Sequence, residues 1–346
     1  MLMTTLKDFR SVERSRLEYA ILGLIVLVFT FGLSKLLGQT GLVAGWAVLL
    51  TYLAESSGSF RQRAGGMATF TIFGFIQILL VALVGGSGWP LLLVLFAVSF
   101  ISSWMMGYGA RAALVGFVST IWITLMPALG VADNLAPSLI GFSAGSLLVM
   151  IASIIPPFFR GESVTADPGE ILVFDKRSYS LSSLFGYSLV RSAAITLGGF
   201  IGQQYLELNQ LWVALTVNLI MPPSLKTTWA RGGYRAAGTI LGAIVGYWLV
   251  LLAGENNTLL LLIEVIAAFL MLYTAKGFAY GFFVFFLSIF IVAQIGLKGV
   301  DMADFGGNER IIATLTGIVI AFATIFILQL IVKRDTYKPE SAAALN

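Results

Sequence analysis

Apolar runs near the length needed to cross about 30 Å of hydrocarbon recur along the whole chain, and this recurrence decides what it can fold into. Six fall near 18–37, 41–55, 67–86, 88–106, 111–130 and 137–157. A polar stretch at 158–183 follows, with Pro156-Pro157 before it and Asp167-Pro168-Gly169 inside it. Six more fall near 187–205, 208–222, 234–253, 257–275, 277–296 and 311–332. The expected fold is an all-α integral membrane protein of about twelve transmembrane helices. The second and eighth runs are short and end in polar or Pro-rich sequence, so broken or tilted spans are expected there. Charged residues make up only 11% and hydrophobic ones 58%, where soluble chains carry about 25% charge. A soluble domain of 346 residues could not bury so much apolar surface.

The charges follow the same plan. Lys7, Arg10, Arg14 and Arg16 crowd the N-terminus, which is expected to form a helix along the membrane surface. The first apolar run is too long for a cleaved signal peptide and lacks a small-residue cleavage site. With the N-terminus in the cytosol, 17 of the 21 basic residues fall in cytosolic segments. Lys35, Lys298 and Arg310 fall outside, and Arg191 lies just within a span. This is the bias of the positive-inside rule, from which both termini are expected in the cytosol; the expected location is a bacterial inner membrane. It also accounts for a pI of about 9.3 without nucleic acid as a partner. The chain has no Cys and no His, which excludes disulfides, thiolate or imidazole metal sites, haem ligation and His-borne proton transfer. No Gly-x4-Gly-Lys-Ser/Thr loop is present, which argues against ATP hydrolysis. No metal, cofactor or catalytic constellation is expected, and the chain reads as no enzyme.

The two halves align. Trp46 opens WAVLLTYL and Trp212 opens WVALTVNL; RAGGMATFTIFG at Arg63–Gly74 pairs with RGGYRAAGTILG at Arg231–Gly242. MMGYGARAALVGF at Met105–Phe117 pairs with FLMLYTAKGFAYGFF at Phe269–Phe283, setting Arg111 against Lys276. SLIG at Ser138–Gly141 pairs with TLTG at Thr314–Gly317. Six spans per half is an even number, so the halves are expected as parallel repeats about a pseudo-twofold axis along the membrane normal. The expected units are 1–157, a first six-helix repeat with its N-terminal interfacial helix; 158–183, a cytosolic linker; and 184–346, a second six-helix repeat. Gly65, Gly66 and Gly74, with Gly232, Gly233, Gly238, Gly242 and Gly246, lie at small-residue spacings, and plain helix packing is the favoured reading over substrate contact.

At these blocks the sequence resembles the fusaric acid resistance family, related to aromatic acid exporters and plant aluminium-activated malate transporters. The strongest stretch is Leu189–Gly246, SLVRSAAITL and then LWVALTVNLIMPPSLKTTWARGGYRAAGTILGAIVG. It has an Arg opening one span, a Trp-led short span ending in Pro, and an Arg-containing loop before Gly-Thr-x-x-Gly. Arg310, Thr314 and Gly317 resemble the family's last-span motif. The first half matches more weakly, with Met67 for Arg235 and Asn134 for Arg310. The resemblance implies export or passive flow of small organic acid anions, aromatic ones included.

Five basic residues lie at repeat-equivalent loops: Arg63 and Arg231, Arg111 and Lys276, with Arg235 one turn beyond Arg231. At the cytosolic mouth they would form a cationic funnel for anions, or else only fix topology. Arg191 sits inside an apolar run and is expected to face a cavity or a partner, with snorkelling as the alternative. Arg310 opens the expected last span and reads equally as an interfacial anchor. Asn218, with Thr216, offers hydrogen bonds to a carboxylate or between helices. Glu264 reads as the only carboxylate well within a span, a proton-coupling group or a structural ion pair. Three functions stay open: an exporter of organic anions, a passive anion channel, and a non-transporting membrane scaffold or assembly factor. The expected partners are a small organic anion and the lipid bilayer, with a homo-oligomer or periplasmic adaptor left open.

Overall fold

Eleven helices follow one another through the described residues, and no strand occurs among them. The computed structural model describes residues 21, 24, 28, 37–55, 60–160, 181–207, 210–221, 225–275, 280–297 and 299–331. The expected N-terminal surface helix, nearly all of the first run, most of the linker and Lys276 lie outside them. In the first half the helices are α1 Gln39–Leu53, α2 Phe60–Val84, α3 Gly88–Met105, α4 Ala110–Leu125 and α5 Leu135–Arg160. In the second they are α6 Leu181–Tyr205, α7 Trp212–Ile220, α8 Leu225–Ala253, α9 Asn257–Ala275, α10 Tyr280–Gly296 and α11 Val300–Ile331. Seven of them are long and apolar enough to cross a membrane, namely α2, α3, α5, α6, α8, α9 and α11; α1, α4 and α10 are shorter apolar helices. The protein is a multi-pass membrane protein. Its outward faces carry large apolar side chains such as Leu83 and Leu252, 83% and 77% exposed, the surface that lipid covers. Small polar side chains turn inward. Ser188, Ser192 and Ser288 are buried, and each returns its hydroxyl to the carbonyl four residues back, so their polarity is satisfied within the helix.

Four helix pairings recur in both halves. In the first, α1 packs on α5, α5 on α2, α2 on α4, and α4 on α3. In the second, α7 packs on α11, α11 on α8, α8 on α10, and α10 on α9. The aligned glycines Gly141 and Gly317 each bring their helix against the short helix of their own half. A Cβ on Gly141 would strike the Thr40 carbonyl of α1, and one on Gly317 would come within 2.6 Å of Thr216 Cβ on α7. Between halves, α3 meets α6 and α4 meets α7, while the Trp46 ring of α1 sits edge-on to Phe290 of α10 at 6.5 Å. The stripe Gly238, Gly242, Gly246 on α8 does the packing expected of it. A Cβ at Gly238 would lie 2.7 Å from the Gly281 carbonyl of α10, and Gly242 abuts the Phe285 carbonyl.

Two helices begin earlier than hydropathy indicates. α8 starts at Leu225 rather than near 234, and α11 at Val300 rather than near 311. Polar side chains lower the hydropathy of these turns, but the backbone bonds of a helix do not depend on it. Arg231 and Arg235 therefore lie within the span of α8 rather than in a loop before it. Arg310 does not open the last span as an anchor. It is ten residues beyond Val300, about 15 Å along the axis, and buried. Glu309 is buried beside it, so Glu264 is not the only carboxylate within a span.

Candidate anion-binding site

The nine residues of α7 are all buried, so its last carbonyls need donors from the protein. Arginines supply them. Arg191, on α6 and fully buried, donates Nε to the Met221 carbonyl at 2.9 Å and Nη2 to the Asn218 carbonyl at 3.2 Å and to Asn218 Oδ1 at 2.6 Å. Its Nη1 reaches Ser103 Oγ of α3 at 2.7 Å. Tyr187 adds its hydroxyl to the Met221 carbonyl at 3.0 Å, and Arg231 donates Nη1 to the Leu219 carbonyl at 3.4 Å. A cation at the C-terminal end of a helix is also favoured by the helix dipole. Asn218 completes the frame by donating Nδ2 to the Phe117 carbonyl of α4 at 3.4 Å. Arg191 therefore faces partners, as expected of a charge inside a span, and those partners are neutral acceptors that leave its guanidinium hydrogen-bonded on three nitrogens.

Arg235 and Arg310 are placed differently. On α8, Arg231, Arg235 and Thr239 recur every four residues and so share one helix face, turned toward α10 and α11. Arg235 is buried, and its Nε and Nη1 have no hydrogen-bond partner in the protein. Arg310 is buried too. It donates Nε to Ser288 Oγ at 3.3 Å and lies over the Trp212 ring at 5.7 Å, while its Nη2 has no partner. The two guanidiniums are close enough to repel one another, and Tyr280 stands in the field of both Arg310 and Arg231. Arg231 lies over the Tyr280 ring at 5.5 Å. The Tyr280 hydroxyl and Thr239 Oγ1 are likewise buried without a partner. Among the described residues no carboxylate pairs with Arg235 or Arg310: Glu309 accepts the Glu207 backbone N–H at 2.5 Å. This ladder of donors can hold an acceptor of negative charge and nothing cationic.

The first half does not repeat it. Arg63 is buried but donates Nε to Glu55 Oε1 at 2.6 Å, with a second contact from Nη2, so its charge is already neutralised. Met67, aligned with Arg235, is a buried apolar side chain. Asn134, aligned with Arg310, is exposed and spends its amide on the Gly130 carbonyl at 3.0 Å. Arg111 is exposed at the start of α4, and its Nη1 lies 3.8 Å from where a Cβ on Gly65 would sit. Glu264 is buried on α9 and is a partner of neither Arg191 nor Arg310. Of the candidates, the structure thus gathers Arg231, Arg235 and Arg310 in one place, gives Arg191 and Asn218 to the end of α7, and sets Arg63, Arg111 and Glu264 apart. Sequence reasoning did not single out Tyr280, Thr239 or Ser288; the four-residue recurrence from Arg231 to Thr239 was the available signal for one of them.

Residues 193–324 match the family described as fusaric acid resistance protein-like. The matched stretch holds Arg231, Arg235, Thr239, Tyr280 and Arg310. The chain is also 32% identical, over 139 residues, to an uncharacterized protein of Neisseria gonorrhoeae. That alignment covers 40% of this chain and 31% of the relative, so the chain spans about a third of the relative's length. No solved structure matches. Over these residues of its second half, the chain is similar to the fusaric acid resistance protein-like family.

Proposed function

We propose that this protein moves small organic acid anions, aromatic ones included, across a bacterial inner membrane. In this reading twelve helices form two parallel six-helix halves, and both termini are cytosolic. The observation that carries it is the pair Arg235 and Arg310, two buried guanidiniums with unsatisfied N–H groups and, among the described residues, no carboxylate partner. A buried charge left unpaired in a membrane span costs several kcal/mol, a cost that a transported anion offsets each time it binds. The matched helix pairings of the two halves support the parallel repeat, and the positive-inside bias supports the orientation. Counterflow in proteoliposomes tests the reading, with a panel of aromatic and aliphatic acids loaded on one side and tracer on the other. Tracer accumulation above that of protein-free liposomes is expected for at least one acid. Flux at the protein-free level for every acid would contradict transport and favour a scaffold, and ohmic current in a planar bilayer would make the protein a channel.

A further inference from the structure

The number of unneutralised charges at the site bears on what it binds. Arg191 shows how this protein satisfies a buried guanidinium when it is structural: four hydrogen bonds to neutral acceptors. Arg235 and Arg310 lack that provision. Their three orphan nitrogens are donors only, and the two orphan hydroxyls nearby, of Thr239 and Tyr280, can also donate. A ligand with acceptors alone satisfies such a set. The two charges also repel one another, so a single negative charge between them leaves one cation uncompensated in a low-dielectric interior. Neither Glu309 nor Glu264 supplies the second charge. Glu309 is turned to the Glu207 backbone, and Glu264 pairs with neither arginine. Arg231 adds less to this charge, because it is only half-buried and solvent partly screens it. Arg63, its counterpart in the first half, carries its own Glu55, so among the described residues there is one such site and not two.

We infer that the Arg235–Arg310 site is matched to a dianion, one molecule carrying two negative charges, rather than to a monocarboxylate. This rests on the anion-transport reading and narrows it to a charge class. The two arginines bind the two charges, while Thr239 and Tyr280 donate to remaining oxygen lone pairs. Charge matching makes a specific prediction for variants. Removal of one guanidinium leaves a single cation, which should then suit a monoanion.

The test is a set of titrations on the full-length protein in detergent at pH 7, with affinity read from ligand-dependent thermal stabilisation. The probes are same-scaffold pairs, succinate against butyrate and isophthalate against benzoate. In the unaltered protein each dianion should bind at least about tenfold more tightly than its monoanion. In Arg310→Gln and, as an independent variant, Arg235→Gln, the preference should collapse toward one. Equal affinities within each pair in the unaltered protein would overturn the inference while leaving anion transport standing. So would a preference that survives in both variants, or saturable binding of two monoanions with a Hill coefficient near two. Should none of the four anions bind and none exchange in counterflow, the transport reading falls together with the inference.

Discussion

Arg191→Leu separates a structural arginine from a transporting one. The change removes four hydrogen bonds and leaves the Met221 and Asn218 carbonyls, Asn218 Oδ1 and Ser103 Oγ to find other donors. Tyr187 still reaches the Met221 carbonyl, but the others have no replacement at that depth. Hydrogen bonds within membrane proteins average about 0.6 kcal/mol, and those to charged groups in proteins reach about 1.5–3 kcal/mol. Removing the guanidinium also relieves its own desolvation, which holds the total toward the low end. The expected loss is about 3 kcal/mol, or roughly 6 °C at about 2 °C per kcal/mol for a chain of this size. Arg191→Lys should fall between, because an ammonium keeps the charge but not the planar fork. Thermal unfolding in detergent measures the loss, and counterflow on the surviving folded fraction measures KM. The account expects reduced stability with KM unchanged. A variant of normal stability whose KM rises sharply would refute the capping role and make Arg191 a substrate ligand.

Other perturbations probe neighbouring parts of the account. Gly238→Ala should lower stability by about 1–3 kcal/mol, since its Cβ would lie 2.7 Å from the Gly281 backbone oxygen; Gly233→Ala, with nothing within 4 Å, should be neutral or slightly stabilising, and the two are compared by thermal unfolding. Glu55→Gln leaves Arg63 buried without its counter-charge and should cost about 3–5 kcal/mol, whereas the double change Glu55→Leu with Arg63→Leu should recover most of it; denaturation of the three variants checks this. The chain has no cysteine, so single cysteines report topology directly. Asn256→Cys should label from outside intact cells and Tyr108→Cys should not, as the positive-inside orientation requires.

Much of the fold was legible because the solvent is lipid. Continuous apolar runs locate helices well: each of the eleven described α-helices overlaps its expected run, though α8 and α11 begin well before theirs. The exception at the start of α11 is instructive. Asp301, Asp304, Glu309 and Arg310 interrupt the hydropathy, but the helix runs through them, and neighbours in space bury Glu309 and Arg310 while the two Asp side chains stay exposed. The same limit applies to the site. Arg63 and Arg231 are equivalent in sequence, and only the pairing of Arg63 with Glu55 makes one neutralised and the other not. A separation of eight residues is no helical contact, so that pairing left no periodic trace. Arg191 was readable as a charge needing partners, but the partners are backbone carbonyls at the end of a nine-residue helix, and carbonyls have no sequence signature. Gly238, Gly242 and Gly246 were readable as packing because their four-residue spacing is a local property.

The central claim is that the carboxylate-free pair Arg235 and Arg310 is where the transported anion sits. Initial rates of counterflow, against substrate concentration, test it most directly in the double variant Arg235→Gln with Arg310→Gln, reconstituted at matched amounts of folded protein. Each charged hydrogen bond lost is worth about 1.5–3 kcal/mol, so the account predicts that kcat/KM falls at least about a hundredfold for every exchanged anion. Unaltered kcat/KM for the anions that the unmodified protein exchanges would contradict it.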